Sequence, residues 1–331
     1  MSVANAIWRT PPGVRLPDFI IGGAMKSGTS TLHAILDSHP DVHIPEGEIG
    51  FFSLGDWQEH GDQIHYDAEK DEWIMQDWLG DPDRIWSWYR DIMRSDKPVV
   101  GEDSTTYFSS RLAAERIAIQ RHPIKMIFLM RNPVDRAYSQ YHHLLRSGRT
   151  QFTFESALQY APKDVLHRGD YVKYLETYYE LMDERRIKVI LFEDFVRDTR
   201  SVMQELCDFI GLDFGKFTDD AFDTHANSGK YPKYVQLQIL KNRWLRQLGN
   251  IQHSSLPFDM NNRFADQKTY VRYLHYMHRL INPLSKKKVP PMKQSTRDFL
   301  EKYYRQNLQG IDELTGKPCM QTWFGVKSTE V

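Results

Sequence analysis

A chain of 331 residues, 40% apolar and 26% charged, is long enough to bury a sizeable core and has the ordinary composition of a globular protein rather than a disordered one. Its formal net charge of −1 leaves no global field to draw it to nucleic acid or to an anionic membrane, so any anion site must be built locally from a few basic side chains and backbone N–H groups. Two cysteines, Cys207 and Cys319, exclude a disulfide framework or a four-cysteine zinc site.

The opening MSVANAIWRTPPGVRLP holds no continuous apolar region, and runs such as KMIFLM fall far short of the roughly 20 residues of a membrane helix. The chain reads as soluble and cytoplasmic, with a lumenal domain cut from its anchor as the alternative. DFIIGG (18–23) predicts a buried strand, and STLHAILDSH (30–39) the helix after it. Residues 55–97 are acidic and rich in tryptophan, and are expected as an irregular or helical insertion. Trp57, Trp73, Trp78, Trp86 and Trp88 line either a core or a sugar-stacking wall there. PVVGED (98–103) and KMIFLM (125–130) predict two more strands. VDRAYSQYHHLLRSG (134–148) predicts a helix, with Pro133 at its start and Gly148 at its end. YVKYLETYYELMDERR (171–186) predicts a second long helix, IKVILFED (187–194) a strand, and TRSVMQELCDFIGL (199–212) a helix up to Gly211. This alternation predicts an α/β fold whose central, mostly parallel sheet is flanked by helices.

Beyond about residue 225 the strand signals stop. YVQLQILKNRWLRQL, KTYVRYLHYMHRLI and STRDFLEKYYRQNL show helical periodicity, and NPLSKKKVPPMK reads as a solvated basic linker. The expectation is one domain over residues 1–331, with an α/β core at 17–235 and a helical C-terminal extension at 236–331.

GGAMKSGTSTL (22–32) has the build of a phosphate loop between strand and helix, where a glycine turn into a helix N-terminus makes an anion cradle. A Walker loop would place lysine after its last glycine. Here that slot holds Thr29 and the lysine stands earlier, at Lys26. Ser27, Gly28, Thr29, Ser30 and Thr31 supply hydroxyl and backbone donors. A second basic segment, LMRNPVDRAYSQY, ends a strand in Arg131 and carries Ser139 about two turns into the next helix, which suits a second phosphate.

Together these two segments, about 100 residues apart, resemble the PAPS-dependent sulfotransferases, nearer their carbohydrate branch. PAPS is 3′-phosphoadenosine 5′-phosphosulfate. The resemblance implies a P-loop-like sulfotransferase fold, PAPS as donor and no metal. It implies that Lys26 assists the leaving phosphate oxygen, residues 27–31 hold the 5′-phosphate, and Arg131 and Ser139 hold the 3′-phosphate. HANSGKYPKY (225–234) resembles the family's late nucleotide loop, with Lys230 as its candidate.

The acceptor hydroxyl needs a base as it attacks sulfur. IPEGEIGFFS (44–53) resembles the family's segment with a catalytic glutamate before two phenylalanines, which points to Glu48, with Gly47 in place of the usual lysine. Glu46, His43 and Asp103 are the alternatives. GEDSTTYF (101–108) puts Asp103 and Thr105 where a lysine and a proline often stand, which favours a neutral or cationic hydroxyl acceptor over a highly sulfated one. HRGDYVKYL (167–175) offers Arg168 and Tyr171 to line an acceptor cleft. The expected partner is a carbohydrate, glycolipid or small-molecule acceptor. The rivals are a P-loop kinase or ATPase using Mg–ATP, with Glu102 or Asp103 as its strand-end acid, and a non-catalytic nucleotide-binding protein.

Overall fold

Phe19–Gly23 (β1), Val42–His43 (β2), Val99–Asp103 (β3), Lys125–Met130 (β4) and Ile187–Leu191 (β5) pair as one parallel sheet in the order β2-β3-β1-β4-β5. The computed structural model describes residues 7–60, 65–67, 71–74, 81–223, 231–245, 269–285 and 289–325. Side chains alternate across the strands. Phe19, Ile21, Ile127, Leu129 and Ile190 bury one face against helix α1 (Thr29–Asp37) and the helix Thr199–Ile210. On the other face Phe128 meets Phe108 and Tyr178 at ring distances of 5.0 and 4.6 Å. Strands buried on both faces read as continuous apolar runs, which is why four of the five are legible in the sequence. β2 is two residues long and too short to show a period.

Two predicted boundaries move. The strand expected to reach residue 194 stops at Leu191, because Phe192–Arg197 forms a short helix with Glu193 and Asp194 in its first turn, where the helix dipole favours acids. The helix expected over 171–186 ends at Leu181. Asp183 then caps a separate turn, Glu184–Arg186, by accepting from the Arg185 N–H.

The chain divides into two compact units that do not follow chain order. The first holds residues 1–131, 171–226 and 310–331, and contains the sheet. Its last segment returns to it through Trp323, whose Nε1 donates to Glu193 at 3.1 Å and whose ring meets Tyr171 at 5.6 Å. The boundary expected at residue 235 is therefore not where the packing divides.

The second unit holds residues 132–170 and 227–309. Its helix α2 (Pro133–Arg146) starts where Asn132 accepts from the Val134 and Asp135 N–H groups. Gln294–Asn307 packs on α2, with Arg297 paired to Asp135 at 2.9 Å. A two-residue antiparallel ladder, Tyr231–Pro232 with Leu284–Ser285, adds strand where none was expected. Among the described residues no helix is long and apolar enough to cross a membrane.

Candidate functional site

Parallel pairing sends the carboxyl ends of β1, β3, β4 and β5 to one edge of the sheet, and each strand delivers a different piece there. β1 runs into the loop 24–28. Lys26 takes φ +67, a left-handed backbone uncommon for a residue with a side chain, and Gly28 takes φ +95 immediately before α1. No side chain caps the first turn of α1, so its leading N–H groups and the positive end of its dipole face outward. Ser27 is buried, and its hydroxyl meets no partner among the described residues. Thr29 is buried, Thr31 half-buried and Ser30 exposed.

β4 delivers Arg131. Its Nη1 donates to the Lys26 carbonyl at 3.4 Å, and its guanidinium carbon stands 4.9 Å from the centroid of the Phe192 ring. Phe192 follows β5, and a Cβ added at Gly28 would come within 2.8 Å of the same ring. One phenyl ring thus supports the arginine and forbids a side chain at the turn. The Tyr171 hydroxyl donates to the Arg131 carbonyl at 2.8 Å. Tyr171 was expected to line an acceptor cleft. Its ring is instead buried between Phe108 and Trp323, and it anchors the arginine's backbone.

β3 delivers the support for Glu48. The Thr105 hydroxyl donates to Glu48 Oε1 at 2.8 Å, and the Thr105 carbonyl would stand 3.0 Å from a Cβ at Gly23. Thr105 therefore ties the glutamate to the base of the loop. Three further bonds fix the backbone after Glu48: Ile49 N–H to Asp103 O (3.3 Å), Gly50 N–H to Ser104 Oγ (2.9 Å) and Phe52 N–H to the Tyr107 oxygen (2.9 Å). Ser104 and Tyr107 in turn donate to buried Glu102, at 2.9 and 2.5 Å, and Tyr89 donates to it at 2.7 Å. Burial raises the Glu102 pKa against the pull of those three hydroxyls.

Asp103 was expected to face the acceptor or to act as a base. It is buried, and its Oδ2 lies 3.2 Å from Nδ1 of His33 on α1. Burial raises the Asp103 pKa more than His33 lowers it. Burial lowers the His33 pKa, but the bond to Asp103 and that carboxylate's charge outweigh it, and the net shift is upward. Of the strand-end acids that a kinase would use, Glu102 is committed to three hydroxyl donors, and Asp103 holds His33 through Oδ2 while its buried Oδ1 meets no partner among the described residues. Of the alternative bases, Glu46 is exposed and His43 half-buried on β2.

The sulfotransferase domain profile matches residues 16–312. The chain belongs to the sulfotransferase family. Among its relatives, heparan sulfate glucosamine 3-O-sulfotransferase 3A1 of Homo sapiens is 28% identical over 228 residues, 63% of this chain and 50% of that protein. Bifunctional heparan sulfate N-deacetylase/N-sulfotransferase 4 of Mus musculus is 24% identical, covering 93% of this chain and 31% of that one. This chain thus spans half or less of the length of these two relatives. A solved structure of a sulfotransferase from Alicyclobacillus acidocaldarius shares the fold, with a TM-score of 0.57 at 21% identity over 94% of this chain and 99% of that one.

The remaining residues singled out by the sulfotransferase resemblance fall in the second unit or outside the description. Ser139 is half-buried on α2, and Arg168 is buried with Nε 3.5 Å from Asp164 Oδ1. Lys230 lies outside the described residues. Trp86 joins the core beside Phe51, Trp88 is half-buried, Trp57 and Trp73 are exposed, and Trp78 lies outside the described residues. Sequence reading missed Thr105 and Phe192 as parts of this candidate site. The run of hydroxyls in GEDSTTYF was a signal for Thr105. None existed for Phe192, whose neighbours are residues 28 and 131.

Proposed function

We propose that this chain transfers a sulfuryl group from PAPS to a hydroxyl of a carbohydrate or small-molecule acceptor, giving a sulfate ester and adenosine 3′,5′-bisphosphate. The observation that carries the reading is the loop 24–28, where a left-handed lysine and a buried, unpartnered Ser27 hydroxyl precede an uncapped helix N-terminus. An unsatisfied buried hydroxyl costs about 1–3 kcal/mol, which a phosphate oxygen accepting from it would recover. Ser27, Thr29, Ser30, Thr31 and the backbone at Gly28 would hold the 5′-phosphate, and Arg131 with Ser139 the 3′-phosphate. Lys230 belongs to the same reading, closing over the nucleotide.

In this mechanism Glu48 takes the acceptor's proton as the acceptor oxygen bonds to sulfur. Lys26 meets the charge left on the phosphate oxygen as its bond to sulfur breaks, a charge that develops only in the transition state. Thr105 holds the glutamate for that task. A family match that draws on both units supports one catalytic domain. The relatives' names support a carbohydrate acceptor, and Gly47, standing where a lysine would, favours a neutral one.

Thermal unfolding with adenosine 3′,5′-bisphosphate, and in parallel with Mg–ATP, tests the donor. Ligand at a hundredfold its dissociation constant adds about 2.7 kcal/mol to stability. A rise in melting temperature with the bisphosphate supports the reading, and a rise with Mg–ATP alone overturns it.

A further inference from the structure

In the second unit, Val235–Leu245 and Thr269–Ile281 form a pair of helices between which runs an apolar groove of about 680 Å³, lined by Leu237, Leu240, Trp244, Leu274, Met277 and Ile281 among others. Two polar residues of the first helix are buried beside Ile239: Gln238 donates to Asn242 Oδ1 at 2.9 Å, and Asn242 Nδ2 donates to the Leu145 and Thr150 carbonyls at 2.9 and 2.7 Å. Two of its large apolar residues face outward, with Trp244 76% exposed and Leu240 59%. On the second helix none of residues 273–281 is buried, and Tyr273, Tyr276, Leu280 and Ile281 are each about 60% exposed. A contiguous apolar surface of this kind marks a docking site.

The charges say what docks. Apart from two histidines, Lys241, Arg243, Arg272 and Arg279 are the only charged side chains of the two helices, and neither helix holds an acid. Burial, with Arg279 nearby, lowers the Lys241 pKa to about 8. Partial burial and the Lys241 charge both lower the pKa of His275 and His278. Exposed tryptophan and tyrosine, aliphatic side chains and cations on helices that carry no acid are the composition of an interfacial membrane element, with the rings at headgroup level and the cations on lipid phosphates. We infer that the paired helices Val235–Leu245 and Thr269–Ile281 dock the protein on an anionic lipid bilayer. The net charge of −1 does not oppose this, because the field near a surface falls off within about 10 Å and the local patch decides the attraction.

The test is co-sedimentation of the full chain with vesicles of phosphatidylcholine alone and of phosphatidylcholine mixed in equal parts with phosphatidylglycerol. The chain is expected to partition onto the mixed vesicles and not onto the neutral ones. Arg279→Glu is expected to weaken that partition by roughly 25-fold, about fivefold for each unit of charge, and Trp244→Glu by at least as much. Both sites are exposed, so both variants should keep the wild-type circular dichroism spectrum and thermal response to adenosine 3′,5′-bisphosphate, which separates this inference from the sulfuryl-transfer reading. Absence of partition, or partition that neither substitution weakens, overturns the inference. Light scattering that shows a dimer which Trp244→Glu dissociates also overturns it, in favour of a second copy of the chain.

Discussion

Lys26 combines the two properties that set a functional residue apart from its neighbours: a charge at the end of the first strand and a backbone that its side chain disfavours. A left-handed φ costs a residue with a Cβ roughly 1–2 kcal/mol, which the surrounding turn must supply. On the proposed mechanism, Lys26→Ala lowers kcat by at least about 10²-fold, the range lost when one preorganised transition-state donor is removed. Lys26→Gly loses the same activity yet melts no lower than wild type, because glycine accepts the left-handed backbone without strain. A fully active alanine variant in a steady-state assay would sink the role given to the lysine. For the base, Glu48→Gln keeps the bisphosphate affinity and loses about 10²–10⁴ in rate. If both are unchanged, while Glu46→Gln or His43→Ala loses rate, the proton goes there instead.

The segment 48–52 acts as an element because a buried carboxylate holds it. Glu102 receives Tyr107 and Ser104, and these accept the N–H groups of Phe52 and Gly50. Tyr107→Phe leaves the Phe52 N–H unpaired and removes one of the three donors to Glu102, so stability should fall by about 1–3 kcal/mol in denaturant titration. Because Glu48 sits just before this anchor, the same variant should lower kcat more than it weakens bisphosphate binding. Equal loss of both, or of neither, would make the network a matter of stability alone. Much of this element was legible: the strand VVGED, the glycines of the loop and the two phenylalanines all stand where the sequence puts them. The Glu102 network was not, because a strand-end acid reads equally as metal ligand, base or structural hub until its partners at 89, 104 and 107 come together.

At the scale of the molecule, acid sensitivity has an identifiable source in the second unit. His142 is buried among the rings of Tyr138, Tyr141 and Tyr231, and neither ring nitrogen has a partner among the described residues. Burial lowers its pKa from 6.5 to about 4. Between those two values the unfolded chain binds the proton and the folded chain does not, so protonation favours unfolding. The contribution to stability is complete above pH 6.5 and is lost as pH falls towards 4, by roughly 3 kcal/mol. Melting temperatures measured across that window should fall less steeply for His142→Phe, which keeps an aromatic ring and cannot charge. Parallel slopes for the two proteins would assign the acid sensitivity elsewhere.

The sequence by itself determined the class of the fold and the glycine turn that leads into α1. Strands buried on both faces must be continuous apolar runs, and a turn into a helix N-terminus needs its glycines adjacent along the chain, so both leave local marks. The tertiary structure alone decided which acid is tied to the loop and which is sequestered, that Tyr171 supports Arg131 from behind, that Phe192 fills the space against Gly28, and that the chain end returns to the first unit. Those outcomes rest on contacts between residues from tens to well over a hundred positions apart, where no local period or composition carries a signal and only the register of the strands and the packing of helices on them bring the partners together.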